Sequence, residues 1–259
     1  MTEIDYQQLG SGSSSKLNSP SQKPRPENPV CCGYSAGRRI GESSLIDNKP
    51  EESCASLFNE QADLMNAEEW LMQLDYARAS SEGEIKAGFR RQLKQVTSIL
   101  EHILPDVASI TVKGPTKASS RPRVEFHTPY GNVPLRKMSL GYRTTIAWMV
   151  DFARRMFERY PDSDDPMAEP AVVLLDEIDL HLHPQWQRKI SQYLTERFPN
   201  TQFIVTAHSP LVVQSAKDAN IAVLRREGDH VLIENDIKAI QGWRIDQIYT
   251  SDIFGLESA

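Results

Sequence analysis

Two adjacent carboxylates, Asp176 and Glu177, are the residues whose type and spacing most clearly suggest chemistry in this chain. They follow five consecutive apolar residues, Ala171–Leu175, a run typical of a strand that is buried on both faces of a parallel sheet. Open α/β sheets bind ligands at the carboxyl ends of their strands. One acid at that edge can hold Mg²⁺ through water while its neighbour polarises an attacking water. A strand followed by an acidic turn is the simpler alternative.

The elements around these acids are predicted to form an α/β framework. A long helix is indicated over 139–160, with Ser139 as its N-cap and apolar residues at helical spacing. After the acids, Pro184 suits the first turn of a helix that reaches about Phe198. Residues 202–207 are predicted to be a second buried strand, which ends at His208. The predicted buried face of the long helix consists of Ile146, Met149, Val150, Ala153 and Phe157.

Two further helices and two β elements complete the predicted framework. Asn66 suits the N-cap of a first helix, and a second helix covers roughly 81–104, where Pro105 ends it. The apolar faces of these helices predict packing surfaces rather than a cofactor site. Alternating residues over 109–113 and 123–127 predict a small antiparallel element, and a hairpin is predicted over 221–225 and 230–234.

The first 55 residues have a different composition, rich in Ser, Pro, Asn and Lys. Up to about Pro29 this composition predicts disorder or a surface loop. The segment GSGSSSK is predicted to be a linker, because it lacks the glycine, the preceding strand and the following helix of a phosphate-binding loop. A short strand is predicted over 30–34. It leads into a basic turn with Arg38 and Arg39, which either meet phosphates or face solvent.

Composition limits the class of protein. The 259 residues are 39% hydrophobic and 25% charged, as in a soluble globular protein, and the net charge of −6 offers no global basic field for nucleic acid or an acidic membrane. No apolar run approaches the ~18 residues that span a bilayer, and no signal peptide is recognised, so we expect a cytoplasmic protein.

Cys31, Cys32 and Cys54 lack metal or redox spacing. His181 and His183 could bind a metal, but a role in a turn and an interface is favoured because no further ligand spacing occurs.

Four pieces of the sequence, in this order, resemble the ATP-binding-cassette ATPases, particularly the RecF/SMC-like and OLD-like branch of the AAA-type ATPases. The pieces are SLGYR at a helix start, the two acids, the turn 178–184, and the strand that ends in His208. Each piece alone is weak, but their order and spacing agree over about residues 130–225. The implied fold is α/β, a P-loop NTPase-like and mostly parallel sheet flanked by helices.

The resemblance assigns a phosphate-binding role to the start of the long helix. MSLGYRT matches the family's signature motif, so Ser139 and Gly141 would bind the γ-phosphate of a nucleotide held by the opposite subunit. The first turn of a helix suits this role because it offers unpaired amide donors and a partial positive charge. Arg143 is a candidate charge partner of the same phosphate. An ordinary capped helix is the alternative.

The remaining roles fall on the acids and the histidine. Asp176 matches the Walker B aspartate that holds Mg²⁺ through water, and Glu177 matches the base that activates or orients the attacking water. Asp179 matches the D-loop aspartate, which touches the partner across a dimer interface. His208, within TAHSP, matches the switch histidine that contacts the γ-phosphate. The implied cofactors are ATP and Mg²⁺.

The sequence departs from the family in one major respect, because it contains no Walker A motif G-x-x-x-x-G-K-[ST]. No glutamine loop can be assigned either. The chain is therefore either the C-terminal part of a longer ATPase or a degenerate partner that lends its signature helix to another subunit. The first explanation is favoured because Asp176, Glu177 and His208 are intact, and because the last segment stops without a capped element.

The sequence thus predicts an ATPase that couples ATP-driven dimerisation to work on DNA or a partner nuclease, in DNA repair or phage defence. The expected partner is a second copy or a subunit that bears Walker A. A non-catalytic interaction subunit is the alternative. DNA and nuclease partners follow from the family alone, since no phosphate-binding basic patch stands out. Three regions are predicted. Residues 1–55 are low-complexity or a remnant of the N-terminal ATPase lobe, residues 56–105 are a helical insertion, and residues 106–259 are the C-terminal ATPase lobe.

Overall fold

A computed structural model of the chain describes residues 29–38, 41, 53–59, 62–117, 120–216, 219–235, 243–251 and 254. The predicted disorder before Pro29 and the predicted phosphate contact of Arg39 fall outside these residues. The strands are β1 (Val30–Tyr34), β2 (Ser109–Lys113), β3 (Arg123–Thr128), β4 (Gly131–Pro134), β5 (Ala171–Leu175), β6 (Thr201–Val205), β7 (Ala222–Glu227) and β8 (His230–Asn235). The helices are α1 (Ala55–Phe58), α2 (Ala67–Ser80), α3 (Gly83–Ile103), α4 (Leu140–Arg159), α5 (Pro184–Gln187), α6 (Ile190–Arg197), α7 (Pro210–Ser215) and α8 (Ile245–Tyr249).

The main sheet has three parallel strands in the order β1-β5-β6. The apolar strand β5 lies at its centre, where Ala171, Val173 and Leu175 are buried. This arrangement confirms the α/β class and the parallel sheet flanked by helices that the sequence predicts. Because β1 belongs to the same sheet as β5, the segment around residues 30–34 is a structural part of the lobe that carries the acids. The division of the chain into three regions stays a prediction.

Strand β6 is not buried as the sequence predicts. Ile204 is 52% exposed and Val205 is 39% exposed, although both are apolar residues of a parallel strand. The reason is position, because β6 is an edge strand that pairs with β5 and with no other strand of the described residues. Parallel strands are usually covered on both faces, so the exposure of these two side chains is unusual.

Helix α4 packs across the sheet and is buried on nearly all sides. The five residues of its predicted inner face are buried, which confirms that prediction. The other side is also buried, since α4 lies between the sheet and helices α2 and α3. Aromatic pairs join it to both edge strands: Trp148 lies 5.9 Å from Tyr34 of β1, and Phe152 lies 6.5 Å from Phe203 of β6, between ring centroids.

A buried polar network fixes β1 against α4. Asp151 of α4 is 2% exposed, and its Oδ2 accepts hydrogen bonds from the Tyr34 hydroxyl (2.9 Å) and from Nε of Arg155 (2.7 Å). Burial, followed by the charge of Asp151, raises the pKa of Tyr34 well above its usual value. Tyr34 therefore stays protonated and acts as a donor. Since Tyr34 ends β1, the network fixes the end of that strand beside the acids.

The remaining elements largely follow the predictions. Asn66 caps α2 by accepting from the Glu69 amide (3.1 Å), and both the antiparallel sheet β2-β3-β4 and the hairpin β7-β8 are present. The helix predicted over 184–198 is instead two helices, α5 and α6. The break coincides with a bond from the Ser215 hydroxyl of α7 to the Gln187 carbonyl (3.3 Å). Among the described helices, none has both the length and the apolar character that crossing a bilayer requires.

Candidate functional site

The two acids leave β5 at its carboxyl end, between the ends of β1 and β6. The Asp176 amide donates to the Tyr34 carbonyl (2.9 Å), so the pairing with β1 continues one residue past the strand. On the other side, the Ile178 amide donates to the Thr206 carbonyl (3.0 Å). Both neighbouring strands therefore hold the backbone that carries the acids.

The hydroxyl of Thr206 joins the two acids directly. It donates to Oδ1 of Asp176 (2.6 Å) and accepts from the Glu177 amide (2.7 Å). Oδ2 of Asp176 has no hydrogen-bond partner among the described residues, so one carboxylate oxygen remains available. Thr206 was not predicted as a site residue, although its position in TAHSP, two residues before His208, could have identified it.

Glu177 adopts a left-handed backbone conformation with φ of 47°. This conformation costs a non-glycine residue roughly 1–2 kcal/mol, so surrounding contacts must maintain it. The side chain is half-buried, and its carboxylate makes no hydrogen bond to the residues that the structure describes. A carboxylate without such a partner is available to orient a water or a substrate group.

The turn 178–184, which we call the D-loop, is tied to the segment that carries His208. Oδ1 of Asp179 accepts a hydrogen bond from the His208 amide (3.1 Å). The side chain of His208 is exposed at the same edge as the acids. The structure thus brings together Asp176, Glu177, Asp179 and His208, which the sequence identified as separate pieces.

Gln187 of α5 is a second link between these two segments. Its Nε2 donates to the carbonyls of Asp179 (3.2 Å) and Leu182 (3.0 Å), while its Oε1 accepts from the Ser209 hydroxyl (2.7 Å). Ser209 is the N-cap of α7. Sequence analysis did not single out Gln187, because a glutamine within a helical segment carries no distinctive pattern.

The two histidines of the D-loop have local structural roles. Nδ1 of His183 accepts from the Gln185 amide (3.4 Å) at the N-cap of α5. His181 has a positive φ of 62°, and its carbonyl faces Gly141 of α4. The part of the chain that the structure describes holds no group of three or more His, Cys, Asp or Glu residues arranged to bind a metal ion.

The start of α4 is open to solvent. Ser139 occupies the N-cap position, but its side chain makes no capping hydrogen bond, and both Ser139 and Arg143 are exposed. No described contact joins either residue to the acids. Gly141, by contrast, is buried against the D-loop. The phosphate-binding roles of Ser139, Gly141 and Arg143 stay predictions.

Replacing Gly141 with alanine is expected to destabilise the fold and displace the D-loop. The added methyl group would clash with the backbone carbonyl of His181, and backbone yields less readily than the end of a side chain. Overpacking of this kind typically costs about 1–3 kcal/mol. Urea unfolding followed by circular dichroism measures the change in the free energy of unfolding.

Gly88→Ala is the matched control, because Gly88 also lies within a helix, α3, and a methyl group there meets nothing within 4 Å. Alanine is the better helix former by roughly 0.5–1 kcal/mol, so this variant should be slightly more stable than the parent. Equal effects of the two substitutions would contradict the close contact between Gly141 and the D-loop.

The acids fit a magnesium ion. Asp176 offers one free oxygen beside the exposed Thr206 hydroxyl, and Mg²⁺ binds oxygen ligands while retaining several waters. A triphosphate also needs an amide cradle and a lysine, which a Walker A motif supplies and this sequence lacks.

Comparison with known proteins assigns the family. Residues 41–214 match the family described as "AAA domain, putative AbiEii toxin, Type IV TA system". The chain belongs to this AAA family. The match includes helix α4, both acids and His208, and it agrees with the ATP-binding-cassette-like AAA resemblance drawn from the sequence.

Individual relatives match over different lengths. The Retron Vc95 probable ATPase of Vibrio cholerae serotype O1 biovar El Tor is 34% identical over 136 residues, which are 52% of this chain and 25% of the relative. The Septu protein PtuA of Bacillus mycoides (strain KBAB4) is 29% identical over 239 residues, which are 91% of this chain and 30% of the relative. The chain thus spans less than a third of the length of either. A solved SMC ATPase structure superposes with a TM-score of 0.43 at 18% identity, covering 56% of this chain and 83% of that one.

Proposed function

We propose that the chain is part of an ATPase in which Mg²⁺ and ATP are bound between these acids and a Walker A element that its 259 residues lack. The observation that carries the proposal is the cluster of Asp176, Glu177 and His208 at one edge of the parallel sheet, held by Thr206 and Asp179. Phosphoryl transfer needs mainly positioning and charge neutralisation, and this cluster can provide both.

Each residue of the cluster has a distinct task. Asp176 would hold Mg²⁺ through water, and the bound ion would neutralise phosphate charge. Glu177 accepts a hydrogen bond from the attacking water and orients it, because its carboxylate has no partner among the described residues. The imidazole of His208 contacts the γ-phosphate, and Asp179 supports it through the His208 amide.

The open edge of β6 supports the idea of a missing strand. The apolar side chains of Ile204 and Val205 are exposed there. A further strand paired in parallel with β6 would occupy its free edge and flank these side chains, and its following loop would emerge at the same edge as Asp176 and His208. A Walker A loop follows a strand in this way. The strand and its loop would come from a region or a subunit beyond the 259 residues.

The exposed start of α4 supports an interface role in the same enzyme. Ser139 and Arg143 face solvent and do not contact the chain's own acids within the described residues. They suit a γ-phosphate held by an opposite subunit, so ATP would lie at the interface of a dimer or of a complex with a Walker A-bearing partner. The Retron Vc95 relative carries the name "probable ATPase", which agrees with the activity. Work on DNA or a nuclease, in phage defence or DNA repair, is part of the proposal.

Nucleotide binding tests the proposal. Mg²⁺-dependent ATP binding is measured by calorimetry, first on the 259-residue chain and then on the chain together with a Walker A-bearing partner. The first place to look for that partner is the DNA upstream of the start codon, which is read for an in-frame G-x-x-x-x-G-K-[ST] motif. We expect Asp176→Asn to weaken Mg²⁺-dependent binding by about tenfold, because the waters around the metal lose the charged carboxylate that holds them. Asp164→Asn, in an exposed loop, is the control and should bind as the parent does.

The outcomes separate the two functions. ATP binding that depends on Asp176 supports a catalytic ATPase. Hydrolysis that appears only with the partner and is insensitive to Asp176→Asn would show instead a non-catalytic subunit that lends its signature helix. An absence of binding under both conditions would refute the ATPase proposal.

A further inference from the structure

Arg38 follows β1 and lies directly beneath the two acids. The sequence predicts either a phosphate contact or a solvated turn for Arg38, and the solvated turn is wrong, since the residue is only 4% exposed. Its NH1 donates a short hydrogen bond to the Asp176 carbonyl, and its NH2 donates to the Glu177 carbonyl (2.9 Å). Both terminal nitrogens of the guanidinium therefore bind the backbone of the acid pair.

These two carbonyls belong to the two peptide groups that flank the Cα atom of Glu177. Holding both peptide planes restrains φ and ψ of Glu177, and so sets the direction in which its side chain leaves the backbone. From the opposite side, Thr206 accepts from the amide of the first of these peptides (2.7 Å). Glu177 is thus held in its left-handed conformation, with φ of 47°, by contacts from both neighbouring strand ends.

The chemistry of the contact favours arginine over other residues. A guanidinium has a rigid planar fork that can bridge two successive carbonyls, whereas a lysine ammonium is a single point of charge. Burial lowers the pKa of Arg38 to about 10, while the nearby charges of Asp176, Glu177 and Asp179 oppose that shift. The group stays charged near neutral pH. Its Nε has no hydrogen-bond partner within the described residues, so burying this atom costs free energy that the contacts with the two carbonyls must offset.

We propose that Arg38 is a positioning residue, which orients the Glu177 carboxylate toward the attacking water without itself contacting the nucleotide. This inference rests on the proposed ATPase function of the site. By this inference, the turn after β1 is part of the hydrolytic site, although it lies 138 residues from Asp176 in the sequence.

Two substitutions test the role, Arg38→Lys and Arg38→Gln, because each breaks the double contact and the lysine variant keeps the charge. Hydrogen exchange of the segment 176–182 is measured on the 259-residue chain without nucleotide, and we expect at least a threefold faster exchange in both variants. In the assembly with its Walker A-bearing partner, we expect kcat to fall by about 10- to 100-fold while KM for ATP changes less than threefold. Arg123→Gln is the control, because Arg123 is partly buried and pairs with Glu125 of β3.

Each outcome decides something specific. Unchanged exchange in folded variants would overturn the positioning role, and so would a raised KM with normal kcat, which would indicate direct nucleotide contact. Faster exchange together with a parent assembly that hydrolyses no ATP would uphold the positioning of Glu177 and refute the ATPase function instead. If Arg38→Gln fails to fold, Arg38→Lys decides; if neither folds, Arg38 serves the fold and the proposal falls.

Discussion

Replacing Glu177 with glutamine is expected to reduce ATP turnover by at least about 100-fold in the assembly that contains Walker A, with nucleotide binding retained. A positioned general base contributes roughly 10²–10⁴-fold, and glutamine cannot accept a proton at neutral pH. The backbone of residue 177 should be unaffected, because its contacts with Thr206 and Arg38 use the amide and the carbonyl. The loss should therefore lie in kcat, which steady-state hydrolysis and equilibrium binding together resolve.

Glu196→Gln provides the matched control for this variant. Glu196 is exposed on α6 and accepts a hydrogen bond from Gln192, away from the acid pair. Its replacement should leave turnover unchanged within about twofold, since surface substitutions of this kind have small effects. Turnover in Glu177→Gln within threefold of the parent would show that another group activates the water.

Replacing Asp151 with asparagine is expected to cost about 3 kcal/mol of the free energy of unfolding. Asp151 is the buried acceptor for Tyr34 and Arg155, and its loss would leave the Arg155 guanidinium without its charge partner. Breaking a buried ion pair by removing one member typically costs about 3–5 kcal/mol. We expect the lower end of this range, because the asparagine side chain keeps one oxygen that can still accept a hydrogen bond. Urea unfolding of the 259-residue chain measures the change.

The control for this variant lies on the same helix. Glu158 pairs with Arg154 on the surface of α4, and its side chain is 60% exposed. Glu158→Gln should cost less than about 1 kcal/mol, because exposed ion pairs are weak and screened. If Asp151→Asn cost no more than Glu158→Gln, the network would not be what fixes the end of β1 against α4.

Much of the fold follows from local patterns in the sequence. The apolar run before Asp176 predicts a central parallel strand, since a strand covered on both faces needs no polar alternation. The spacing of the apolar residues predicts the inner face of α4, and Asn66 marks the start of α2. These predictions succeed because the deciding interactions lie within one element or between sequence neighbours.

The predictions that fail concern contacts between distant segments. The exposure of Ile204 and Val205 depends on which strands flank β6, and the strand's own composition does not contain that information. The split of the helix after Pro184 likewise coincides with a hydrogen bond from Ser215 of another helix. In both cases the outcome involves the surroundings of the element rather than its own residues.

The site shows the same division. By itself, the sequence determined which side chains are the candidates for chemistry, Asp176, Glu177 and His208, because strand ends and acid pairs are visible as short patterns. Only the tertiary structure decided how they are held. Arg38 and Thr206 reach the acid pair from the ends of the two flanking strands, and parallel pairing is what brings those ends to one edge of the sheet. The contacts themselves leave no pattern in the sequence, even where TAHSP marks the position of Thr206, since they join residues that are separated by about 30 to 140 positions.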